Sequence, residues 1–74
     1  MTAQEWIQAF ASEIGAEAPG SIQSEQILKL AAVAAHASER TAAPIACYLA
    51  GRAGKSLDDA IAAAEGISNT KGND

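Results

Sequence analysis

Residues 27–54 read ILKLAAVAAHASERTAAPIACYLAGRAG, and this stretch decides the fold. No polar residue interrupts the run from Leu30 to Ala35. Ile27, Leu30, Ala31 and Ala34 recur at the spacing of one helix face, and Leu28, Ala32 and Ala35 make a second stripe. A helix apolar on all sides is usually the buried centre of its domain. A central helix is therefore predicted from Ser21 or Ser24 to about Ser38. The chain then turns with almost no loop. Thr41 is read as the N-cap of the next helix, bonding the Ala43 amide because Pro44 has none to offer. Pro44 falls in the first turn, where its missing N–H does no harm. One face of this helix presents Ile45, Tyr48 and Leu49. The other presents Ala43, Cys47, Ala50 and Gly54, all small, which permits close contact with the alanine-rich helix before it.

Working outward, Ala3 to about Ile14 is predicted as a helix. Thr2 and Glu5 have capping-box spacing, and Gly15 is a natural stop. Trp6, Phe10 and Ile14 recur every four residues with Ile7 beside them, giving one apolar face. Trp6 and Phe10 are expected in the core. The alternative is a half-covered Trp6 beside Ile7, acting as a partner-binding anchor. Ala16 to Gly20, with Pro19, reads as a loop. Towards the other end, Ser56 and Asp59 have capping-box spacing, and Leu57, Ile61 and Ala64 are expected to face inward. Gly66 is read as the stop of this last helix. The expected fold is all-α, a compact bundle of about four short helices. Residues 1–67 form the single domain and residues 68–74 a disordered tail.

Composition narrows the function classes. A chain of 74 residues holds one domain. Five basic against nine acidic residues give a net charge of −4, which disfavours general nucleic-acid binding. No apolar run is long enough to span a membrane. One cysteine excludes an internal disulfide, and His36 with Cys47 gives no zinc spacing, so neither metal nor cofactor is expected. The start, MTAQEWIQAF, lacks the pattern of a secretory signal. With the unpaired thiol, this leads to an expected cytoplasmic location.

Three features bear on chemistry. His36 and Arg40, four residues apart, share a face near the end of the central helix, just before the helix that holds Pro44. Together with free amides they could hold a phosphate or carboxylate. The simpler reading, and the one expected for Arg40, is that they satisfy the last carbonyls of their own helix and its dipole. Gly54-Lys55-Ser56 resembles the end of a phosphate-binding loop. That motif also needs a glycine where Leu49 stands and a preceding strand, so a helix stop followed by an N-cap is the simpler reading. Cys47 lies in the small-residue stripe, where a buried thiol is inert. No nucleophile, metal cluster or carboxylate pair is placed for catalysis, and the chain is read as non-enzymatic.

The segment from Ile27 to Gly54, with its H-x-x-x-R-x-A-A-P pattern from His36 to Pro44, resembles a family of small actinobacterial helical domains. His36, Arg40, Ala42, Ala43, Pro44, Gly51 and Gly54 match the pattern. Thr41 stands where proline is common, and Cys47 where threonine is usual. Members of that family occur alone or joined to molybdenum cofactor guanylyltransferase, the enzyme that attaches GMP to molybdopterin. The resemblance implies an accessory or interaction domain in molybdopterin-guanine dinucleotide biosynthesis, with that enzyme as partner. Two alternatives stand beside it. One is a module binding a phosphorylated pterin or nucleotide through His36, Arg40 and helix amides, at the corner that Pro44 closes. The other is a structural homodimer.

Overall fold

A computed structural model describes residues 1–72, with side chains described as far as Ser68. It contains four helices: α1 (Ala3–Ile14), α2 (Ser21–Ala37), α3 (Ala42–Ala53) and α4 (Leu57–Gly72). The expected compact all-α bundle is what the chain adopts, and each boundary has a local cause. At α1, Thr2 Oγ1 accepts from the Glu5 amide at 3.1 Å, and Glu5 Oε1 accepts from the Thr2 amide at 2.8 Å. Both halves of the capping box are therefore made. Gly15 ends α1 in the left-handed region at φ 74°, and the Ala16 amide closes back on the Ala11 carbonyl at 2.8 Å. Gly54 ends α3 in the same way at φ 70°. Ser56 Oγ then accepts from the Asp59 amide at 3.1 Å to start α4.

Helix α2 is the hub. It packs on both α3 and α4, while α3 and α4 do not pack closely on each other. The small stripe of α3 is the side that meets α2. Ala43, Cys47 and Ala50 are half-buried, and the Cys47 thiol reaches the Ile27 carbonyl at 3.8 Å. Gln26 Nε2 donates to Asp58 Oδ1 at 2.7 Å, tying α2 to α4. Leu30, at 3 % exposure, sits at the centre with Ile61 of α4. Leu57 and Ala64 flank Ile61 on the same inward face.

Four expectations need correction. The second stripe of α2 is not covered: Leu28 is 68 % exposed, and Ala32 is exposed too. Three helices of this length leave part of their hub open. Trp6 and Phe10 are not core either, at 55 % and 49 % exposure. Thr41 precedes α3 but makes no side-chain cap, and its own backbone is helical (φ −67°, ψ −19°). The Ala42 amide bonds the Glu39 carbonyl at 2.9 Å and the Ala43 amide bonds the Arg40 carbonyl at 3.2 Å. With Pro44 lacking an amide hydrogen, nothing is left there for a hydroxyl to cap. Finally, Gly66 does not stop α4, which continues to Gly72. Unlike Gly15 and Gly54, Gly66 has no positive φ, and a glycine inside a helix costs only about 1 kcal/mol. The tail expected over residues 68–74 extends to Asn73 and Asp74, which lie outside the described residues.

Candidate functional site

The His36–Arg40–Pro44 corner is where the sequence places it, at the junction of α2 and α3. All three residues are exposed. Backbone bonds close the turn, and among the described residues neither the His36 nor the Arg40 side chain makes a hydrogen bond or ion pair. The His36 imidazole in the last turn of α2 and the Arg40 guanidinium just beyond it therefore face solvent. The Gly54-Lys55-Ser56 segment is the helix stop and N-cap that close α3 and open α4, with no strand leading into it. Cys47 is half-buried between α2 and α3, and burial pushes its thiol above the ordinary range. Such a thiol is a poor nucleophile at neutral pH.

The feature that dominates the surface is apolar. Among the described residues only Ala11, Leu30 and Ile61 are buried, whereas eleven large hydrophobic residues are exposed. They fall in two main groups. On α1, Trp6 and Phe10 stack with ring centroids 5.1 Å apart and planes 15° apart, and Ile14 continues the stripe. The second group lines a groove between α3 and α4. Two adjoining recesses of about 320 and 310 Å³ form it, sharing Ala46, Leu49, Ala64 and Ile67. Its lining is almost wholly apolar, with Leu30 of α2 beneath and Lys55 and Asp59 at one end. Beside this groove, Arg52 lies 5.9 Å from the Tyr48 ring centre and donates to the Tyr48 hydroxyl at 3.2 Å.

Reasoning from the sequence missed both the groove and the Tyr48–Arg52 pair. The four-residue spacing of that pair was a readable signal. The groove was not readable, because it depends on α3 and α4 standing apart. Among the described residues no three His, Cys, Asp or Glu side chains gather as metal ligands, and no helix is long and apolar enough to cross a membrane.

No curated protein and no solved structure matches the chain. A family model described as a domain of unknown function, DUF6457, matches residues 1–72. The exposed apolar faces and the α2–α3 corner are thus features of a chain that belongs to the DUF6457 family.

Proposed function

We propose that this chain is a non-enzymatic interaction domain serving molybdopterin-guanine dinucleotide biosynthesis, with molybdenum cofactor guanylyltransferase as its partner. The observation that carries the interaction reading is the exposed apolar surface. Folded proteins of 7.5 kDa present about 4,250 Å² on the usual scaling of surface with mass. This chain presents 5810 Å², an excess of roughly 1,500 Å² over that scaling. Large apolar side chains grouped on α1 and along the α3–α4 groove are the kind of exposed surface that marks a binding site on a protein that works in water. Tyr48 with Arg52 supplies the residue types that anchor such interfaces. The choice of partner and the actinobacterial setting rest on the resemblance of the Ile27–Gly54 segment. The cytoplasmic location rests on the lone thiol, which a reducing compartment preserves.

The test is calorimetric titration of the purified chain with the guanylyltransferase. Saturable binding is expected, weakened at least tenfold by Tyr48→Ala, which is about 1.4 kcal/mol. Heat of dilution alone would overturn the choice of partner.

A second reading has its own support. The His36 and Arg40 side chains have no partner within the described residues, so both remain available to an anion such as a phosphorylated pterin or nucleotide. Saturable binding of GMP that is lost in His36→Ala would favour it. Absence of such binding removes it.

A further inference from the structure

We draw no further inference here: the strongest candidate, the recess of about 330 Å³ between α2, α3 and the start of α4 that Cys47, Gly51, Gly54 and Lys55 line, is built from a lone cysteine and the small-residue stripe of α3, and nothing in the structure points to a ligand there.

Discussion

The Trp6 and Phe10 rings stack 5.1 Å apart, and each leaves about half of its surface open to water. Stacking of this kind is worth about 0.5–1.5 kcal/mol beyond area burial. That is little return for two aromatic rings, which in a core cost about 3–5 kcal/mol when cut to alanine. At dilutions where the chain is a single copy, Trp6→Ala should therefore lower the unfolding free energy by less than about 1.5 kcal/mol. Chemical denaturation at nanomolar concentration, followed by circular dichroism, checks this. A loss in the range of a core tryptophan would show that α1 is docked within its own chain.

Leu28 and Leu30 are two residues apart on α2 and differ most in what they touch. Leu30 is 3 % exposed and meets both flanking helices, whereas Leu28 is 68 % exposed. Leu30→Ala should cost about 2–5 kcal/mol. A small single core supplies only about 3–5 kcal/mol in total, so this variant should be largely unfolded at room temperature. Leu28→Ala should change stability by about 0.5 kcal/mol or less. Equal losses in parallel urea titrations would contradict the placement of α2.

The helices were legible because their signals are local. The Thr2–Glu5 box, the Gly15 and Gly54 stops and the Ser56 cap each act within a few residues, and all form as read. The small stripe of α3 was legible too, because Ala43, Cys47 and Ala50 state how closely a neighbour can approach. What the sequence does not encode locally is which apolar face finds a partner inside the chain. The pattern of Trp6, Phe10 and Ile14 requires burial somewhere, and periodicity cannot tell an internal neighbour from an external one. Arg40 was ambiguous for a similar reason, since whether its turn needs a side-chain donor depends on backbone bonds that no residue pattern spells out.

Cys47 gives a pH signature. Burial holds its thiol above the ordinary range in the folded state, so the folded chain keeps this proton to higher pH than the unfolded chain does. The contribution is fully present below the unfolded thiol pKa and is lost as pH rises through the folded one. Stability should accordingly decline from mildly alkaline pH upward, and Cys47→Ala should decline less over that window. Melting curves between neutral and alkaline pH read the difference. Alkylation of Cys47 at neutral pH should also be slower in the folded chain than in urea, and equal rates would argue against a half-buried thiol.

Gly66 sits inside α4 with ordinary helical geometry, and a Cβ added there would meet nothing within 4 Å. Alanine at such a position avoids the entropic cost of ordering glycine, about 0.5–1 kcal/mol. Gly66→Ala should raise the melting temperature by a few degrees, since about 1 kcal/mol shifts a domain of this size by 4–8 °C. The same change at Gly54, where φ is 70°, should destabilise. If Gly66→Ala also destabilised, the residue would be acting as the helix stop that its sequence context suggested.

Arg40 decides between a structural and a binding role for the corner. A structural role requires its guanidinium to satisfy carbonyls at the end of α2. The turn instead closes through the Ala42 and Ala43 amides and the Glu39 and Arg40 carbonyls, at 2.9 and 3.2 Å. The Arg40 side chain is exposed and makes no bond among the described residues. Removing an exposed, unbonded side chain changes stability by about 0.5 kcal/mol or less, so Arg40→Ala and Arg40→Lys should both melt within about 2–4 °C of wild type, half the shift for 1 kcal/mol. Phosphate separates the remaining possibilities. If His36 and Arg40 hold an anion, phosphate at constant ionic strength should stabilise the wild type by mass action, and Arg40→Ala should lose that gain while Arg40→Lys keeps part of it. A melting temperature indifferent to phosphate in all three proteins would leave the corner as a surface for a partner protein's acidic side chains. A large loss on Arg40→Ala without phosphate would instead restore its role as a brace between α2 and α3.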